Sequence, residues 1–402
     1  MAGVACARMR IAMVTETYPP EVNGVARTVA LMVEGLLHRD HAILLVRPRQ
    51  GAADLAASHE GFDELLVAGM PIPRYAQLKV GMPSRRALEK AWRAWRPDIV
   101  HIATEGPLGW SALAAARKLE LPVATDFHTN FDAYSKHYGF SWFARAVQAY
   151  LRRFHNRADC TMVPTRELAD QLEKSGFHAL RVVGRGVKPE VFSPAKRSAA
   201  LRASWGAGEE DVVALCVSRF APEKNFPLVI EAYEAMRAAV PSCKLVLVGD
   251  GPLSSDLKRR NVGYVIAGRL VNGALSAHYA SGDMFLFPST TETFGNVTLE
   301  AAASGLGIVA YDYAAAREHL VHGRSALLAP FDRRDEFIAE AVRLAADLPL
   351  ARQLGRAARA AAGSLTWDRI AGDFEAVLLD VAASPARRES RLSAGAPRRM
   401  RA

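Results

Sequence analysis

The residues with the most chemical capacity in this sequence fall in two short stretches. Thr290–Gly305 reads Thr-Thr-Glu-Thr-Phe-Gly-Asn-Val-Thr-Leu-Glu-Ala-Ala-Ala-Ser-Gly and carries Glu292 and Glu300 with seven residues between them. It follows the apolar run Met284–Phe287 and leads into a helix-forming segment, Val297–Ser304. A loop between a strand and a helix start offers unpaired N–H groups and the positive end of a helix dipole, which suits an anion such as phosphate. Glu292 lies in the loop, and Glu300 lies about one turn inside the helix at ~3.6 residues per turn. The two acids therefore address different parts of any ligand. The same pattern also fits a plain strand–helix connection with two solvated acids. The second stretch, Ser218-Arg219-Phe220-Ala221-Pro222-Glu223-Lys224-Asn225, follows the apolar run Val212–Val217 and precedes a helix. Arg219 and Lys224 at a strand's carboxyl end fit a diphosphate, Arg making two parallel bonds. The alternative is a surface ion pair between Arg219 and Glu223.

Three further stretches invite the same question. Val248-Gly249-Asp250-Gly251-Pro252 permits a tight turn and close backbone approach, but it is neither a GxGxxG fingerprint nor a Walker loop. Asn23-Gly24 stands at the entrance of the first helix, either as exposed N–H groups for an anion or as an ordinary N-cap. His128, in Thr125–Phe131, follows the run Pro122–Asp126. At that strand end it is expected to point into a cleft, where it would bond a sugar or stabilise developing charge; a structural His is the other reading. Glu16, Asp126 and Glu292 are the acids nearest the expected cleft. No HxH or Glu/His metal spacing, GxSxG elbow or dinucleotide fingerprint occurs, and no metal or other cofactor is expected.

Apolar runs alternate with amphipathic segments throughout. Candidate strands are Arg10–Thr15, Ala42–Val46, Leu65–Ala68, Asp98–Ile102, Pro122–Asp126, Cys160–Val163 and Arg181–Val183, with helices at Val25–Leu37, Ser84–Trp95, Leu108–Leu119, Trp142–His155 and Arg166–Ser175. After the Gly/Pro-dense Gly184–Pro189 the alternation restarts, with strands at Val212–Val217, Lys244–Val248, Gly263–Ala267, Met284–Phe287, Gly307–Ala310 and Ser325–Leu328. Helices there are expected at Phe226–Val240, Leu253–Arg260, Asn272–Ala280, Val297–Ser304 and Asp332–Asp347. Such alternation predicts α/β architecture: two doubly wound, Rossmann-like domains, 1–187 and 188–365, facing across a cleft. A helix in 366–383 is expected to pack back on the first domain, and 384–402 reads as a disordered basic tail.

At 402 residues two domains are the default. Half the residues are hydrophobic and 23% are charged, a globular composition. No charge-free apolar run reaches the ~18 residues of a membrane span. Met1–Arg8 is too short for a signal peptide, and Met9 is a candidate start. The four cysteines lack ligand spacing and indicate a reducing compartment. The net charge of +9 suits an anionic partner, though the tail holds much of it and no motif supports nucleic-acid binding. Trp142–Asn156 and Ser84–Trp95 mix arginines with aromatics, which fits either an anionic membrane surface or ordinary helices with a core face.

Together these motifs resemble retaining glycosyltransferases of the GT-B fold, glycosyltransferase family 4 (group 1), over about residues 9–380. The most specific part is Arg219-x4-Lys224 followed by Glu292-x7-Glu300. Thr15–Val25, Asp126-Phe127-His128-Thr129 and Phe154–Asp159 narrow the likeness to the branch with sulfoquinovosyl-diacylglycerol synthases and GDP-mannose-dependent α-mannosyltransferases. The resemblance implies a hexosyltransferase acting on a nucleotide-diphosphate sugar (GDP-mannose or a UDP-hexose) and a lipid or lipid-linked acceptor. It implies a cytoplasmic protein, peripheral on the inner face of the cell membrane. It implies that Arg219 and Lys224 hold the diphosphate, Glu300 the ribose and Glu292 the hexose hydroxyls. Phe294, Gly295, Asn296 and Val297 would give backbone contacts, Arg269 and Leu270 beside Gly268 would lie near the base, Gly24 would approach the phosphate, and His128 would contact the sugar near its reacting carbon. Lys188 stands where the branch often has an acid. A soluble sugar or polysaccharide acceptor, or a non-catalytic nucleotide-sugar-binding protein, are the alternatives.

Overall fold

The computed structural model describes residues 8–21, 23–72, 75–128, 141–260 and 263–384. The first strands are β1 (Arg10–Val14), β2 (Ala42–Pro48), β3 (Ser58–His59) and β4 (Phe62–Val67), then a hairpin of β5 (Gly69–Ile72) and β6 (Tyr75–Gly81). They are followed by β7 (Ile99–Ile102), β8 (Val123–Asp126), β9 (Cys160–Val163) and β10 (Leu180–Val182). An eight-stranded sheet runs in the order β10-β9-β8-β7-β1-β2-β4-β3, parallel except for β3 on β4. The second sheet holds β11 (Val213–Val217), β12 (Lys244–Val248), β13 (Val265–Gly268), β14 (Met284–Phe287), β15 (Gly307–Tyr311) and β16 (Leu327–Ala329). Its order is β13-β12-β11-β14-β15-β16, and its pairs are parallel. The strands read as unbroken apolar runs because helices cover both faces; every residue of β11, β14 and β15 is buried.

Chain order reverses in the second sheet at β11, which has β12 on one side and β14 on the other. Ligands of open α/β sheets lie outside the strand carboxyl ends at such a switch point. The loops there are Ser218–Asn225 and Ser289–Gly295, the two stretches with the chemically capable side chains.

Among the elements that the sequence reading leaves unassigned are the β5–β6 hairpin and the helix Leu348–Gly363. The β5–β6 hairpin is antiparallel, in a segment interrupted by Pro71 and Pro73. The helix Leu348–Gly363 begins directly after Asp347, whose carboxylate accepts from Leu350 N at 2.9 Å. Its Ala/Arg composition hides the buried stripe Ala351, Leu354, Gly355, Ala358 and Ala362. A Cβ on Gly355 would stand 2.0 Å from the Gly305 carbonyl, so this helix lies directly behind the Asn296–Ala303 helix of the site.

The helix Trp367–Ala383 lies against Gly24–Leu37, where a Cβ on Gly35 would meet the Ala371 Cβ at 2.4 Å. Arg39 bonds Asp368 at 2.9 Å, and His41 meets Glu375 at 2.7 Å. Other contacts link the two halves. Glu167 accepts from Ala314 N at 3.1 Å and from Arg317 at 2.6 Å, and Arg166 N donates to Glu318 at 3.0 Å. Cys160, Cys216 and Cys243 are free and buried. Among the described residues no helix is long and apolar enough to cross a membrane. The first seven residues, Thr129–Phe131 of the His128 stretch and the basic tail (385–402) lie outside the described residues.

Candidate functional site

The loop after β11 closes in a short turn, Pro222–Lys224, and Asn225 at φ 57° starts the helix Phe226–Ala239. The loop after β14 is tied to it through one carbonyl. Glu223 O accepts from Thr290 N at 3.0 Å and from the Ser289 and Thr290 hydroxyls at 3.3 Å each. This brings the Lys224 ammonium onto the Glu292 carboxylate, with the side chains 15% and 14% exposed. The ammonium also lies 5.6 Å from the Phe287 ring centroid. Tyr313 Oη donates to Glu292 O at 2.7 Å and accepts from Glu292 N at 3.2 Å, so the acid's backbone is fixed from outside its loop. Arg219 does not join this pair: it is largely exposed and bonds Glu223 at 2.6 Å.

Gly295 takes φ 92°, a left-handed turn that lets the helix Asn296–Ala303 begin at once. The first N–H groups of that helix have no intrahelical partner. Asn296 Oδ1 is buried with no hydrogen-bond partner. Phe294 is buried in the core, with its carbonyl taken by Ala315 N at 2.8 Å, and Val297 is half-buried. One turn deeper, the buried Glu300 accepts from Tyr279 Oη at 3.1 Å and from Arg27 Nη1 at 2.8 Å. Burial pushes the Glu300 carboxyl up, and Arg27 and Tyr279 oppose that.

The Gly249–Gly251 turn meets both neighbouring loops. Gly249 N donates to Gly268 O at 2.8 Å, and Phe220 N donates to Asp250 O at 2.9 Å. Gly268 takes φ 73°, Arg269 is exposed and Leu270 is half-buried. Gly249 takes φ 147°, and a Cβ there would stand 1.9 Å from the Ser218 carbonyl. Gly249→Ala must therefore displace the loop that carries Lys224. We expect it to cost about 1–3 kcal/mol of stability and to weaken nucleotide binding, read together by thermal unfolding with and without nucleotide.

In the first domain the expected cleft-facing acids are turned inward. Glu16 caps the helix Pro107–Lys118 through Leu108 N at 2.9 Å, and burial raises its carboxyl to about 7. Asp126 is buried, with Oδ2 3.3 Å from His128 Nε2, 3.7 Å from His101 Nε2 and 4.0 Å from Arg185 Nη2. Burial alone would raise the Asp126 carboxyl; the two imidazoles and the guanidinium outweigh it and hold the group well below the usual range. The His128 side chain is 9% exposed and belongs to this buried cluster. It does not project freely into open space. Gly24 stands exposed at the first turn of Gly24–Leu37, with Asn23 Oδ1 accepting from Ala26 N at 2.8 Å.

The structure thus joins Lys224 with Glu292, draws the Gly249 and Gly268 turns alongside, and sets Glu300 one turn behind. Sequence reasoning missed Arg27, Tyr279 and Tyr313. Arg27 carried a signal, being a cation one turn after Asn23-Gly24; Tyr279 and Tyr313 carried none. Among the described residues no group of three or more His, Cys, Asp or Glu is placed to hold a metal.

Comparison with known proteins places the chain among glycosyltransferases. The family model "Glycosyltransferase Family 4" matches residues 22–191, and "Glycosyl transferases group 1" matches residues 211–347. The chain is 33% identical over 377 residues to a GDP-mannose-dependent alpha-mannosyltransferase of Mycolicibacterium smegmatis, covering 92% of this chain and 98% of the relative. It is 26% identical to an alpha-monoglucosyldiacylglycerol synthase of Streptococcus pneumoniae, covering 75% and 71%. Its fold matches that of a sucrose-phosphate synthase from Thermosynechococcus elongatus with a TM-score of 0.78 at 17% identity, over 94% of this chain and all of the other.

Proposed function

The chain belongs to glycosyltransferase family 4 and is a hexosyltransferase of the GT-B fold; from that premise we propose that it moves a hexose, with retention of configuration, from GDP-mannose or a UDP-hexose to a lipid or lipid-linked acceptor. The observation that carries the donor assignment is the Lys224–Glu292 pair at the β11/β14 switch point. An ammonium and a carboxylate held side by side fit the two ends of one bond in the donor. The ammonium takes the phosphate that becomes the leaving group, and the carboxylate takes hydroxyls of the sugar left behind. Negative charge grows on the diphosphate as the glycosidic bond breaks. Lys224, the N–H groups that open Asn296–Ala303, and Arg219 once it leaves Glu223, stabilise that charge. Gly24, at the start of a first-domain helix, approaches the same phosphates. Glu300 takes the ribose hydroxyls, and the Gly268–Leu270 turn borders the base. His128, held in the buried Asp126 cluster, would have to turn out of it to contact the sugar near its reacting carbon.

Two of the relatives support the finer reading by their names: one uses GDP-mannose, and the other makes a glucosyl diacylglycerol. The donor test is thermal shift against GDP, UDP and ADP, since a ligand of the folded state raises the melting temperature. One of the first two is expected to raise it most. No shift with any of them contradicts the donor assignment.

A lipid acceptor brings the enzyme to the cytoplasmic face of a membrane, and the basic helices set how it would bind there. In Arg85–Trp95 the apolar residues Leu88 and Trp92 are buried, and in Ser141–His155 so are Leu151 and Phe154. Arg85, Arg86, Lys90, Arg93, Arg145, Arg152 and Arg153 remain exposed. Trp92 and Phe154 are core residues, whereas Tyr150 is exposed beside these arginines. Membrane contact would be electrostatic and screened by salt. Flotation with anionic vesicles is expected to recover the protein at low salt and lose it at about 0.5 M salt, where the Debye length is only a few ångströms. No recovery at low salt favours a soluble acceptor.

A further inference from the structure

The partner of Glu300 from the other half of the molecule is Arg27, 273 positions away in the chain. Glu300 is buried, and its carboxylate has one oxygen on Tyr279 and the other on Arg27. The Arg27 side chain is 47% exposed against 8% for Glu300. That asymmetry makes the contact exchangeable from one side only. Arg27 can turn into water at small cost, because an exposed cation is well solvated. Glu300 cannot be left alone, because a buried acceptor without a donor carries the full desolvation penalty. A ligand that displaces Arg27 must bring hydroxyl donors of its own.

We propose that Arg27 gates the nucleotide subsite: in the empty enzyme its guanidinium occupies the place on Glu300 that the ribose hydroxyls take, and nucleotide binding releases it. This rests on the reading of Glu300 as the ribose-binding acid. Arg27 sits on the helix Gly24–Leu37 of the first half, its guanidinium 6.0 Å from the Phe192 ring centroid. The exchange therefore also removes one contact between the halves, while those of Glu167 with Ala314 N and Arg317 stay in place. Nucleotide affinity is lowered by the competing pair, and only ligands that reach Glu300 experience that competition.

The test compares ligands that do and do not reach Glu300. Binding of GDP, UDP and inorganic pyrophosphate is measured by titration calorimetry on the full chain and on Arg27→Met, which keeps an apolar stem near Phe192 and removes the guanidinium. The gate predicts that the preferred nucleoside diphosphate binds roughly three- to tenfold more tightly to Arg27→Met, with pyrophosphate unchanged. Arg27→Lys, a milder change that protects against a folding defect, should fall between the two. Unchanged or weaker nucleoside diphosphate binding in both variants overturns the gate. Glu300→Gln separates this from failure of the underlying assignment. It should weaken the nucleotide and spare pyrophosphate; an unchanged nucleotide affinity would remove Glu300 from the ribose site, and the gate with it.

Discussion

Lys224→Ala is expected to lower kcat by about 10²- to 10³-fold, the range for removing one donor that stabilises developing negative charge. The side chain comes from a turn fixed on both sides, by Asn225 in its left-handed conformation and by the Glu223 carbonyl shared with Ser289 and Thr290. Its low exposure keeps water away from the charge it supplies. Removing it also strips Glu292 of its counter-ion in a half-buried position, so donor binding should weaken along with turnover. Steady-state kinetics with the donor varied separates the two effects. Arg219→Ala should also lower kcat but by a smaller factor, because Arg219 is exposed and must first leave Glu223. Equal turnover in native enzyme and Lys224→Ala would remove Lys224 from the reaction.

Glu292→Gln is expected to reduce kcat/KM for the sugar donor by about 10- to 10²-fold, as the loss of a charged acceptor from good hydrogen bonds costs about 1.5–3 kcal/mol. The amide keeps the shape of the side chain, and Tyr313 still holds the backbone at residue 292. Binding of the nucleoside diphosphate alone should change little, because Glu292 is assigned to the sugar and not to the leaving group. The split is read by comparing kcat/KM with the dissociation constant of GDP or UDP. Parallel losses in both would place Glu292 on the phosphates instead.

How far the sequence revealed this site depended on how local each contact was. Lys224 and Glu292 each follow an apolar strand, and their separation allowed adjacent strand ends to bring them together. Gly249 was readable as a turn residue, whereas Gly295 was named only through the family likeness and its left-handed turn emerged with the structure. Arg27–Glu300 could not be read, since it joins elements from opposite ends of the chain and nothing in either neighbourhood specifies the other. The same holds for Tyr313, whose grip on Glu292 depends on how the Ala314–His319 helix enters. His128 and Asp126 were placed correctly on a strand end. Their burial depended on His101 and Arg185, which approach from β7 and from the segment after β10. For the two basic helices a membrane face and a core face were both open from sequence; Trp92 and Phe154 are buried and Tyr150 is exposed, a division that only the sheet beneath them sets.

The most direct measurement is hexose transfer itself. The full chain is incubated with radiolabelled GDP-mannose or UDP-glucose and vesicles containing diacylglycerol or a glycolipid acceptor, and both the released nucleotide and the label in the lipid phase are followed. Label in lipid from one of these donors, matched by nucleoside diphosphate and formed with retained α configuration, is the predicted result. Tight nucleotide binding with no nucleotide release and no label in lipid, across both donors and both acceptors, would contradict it.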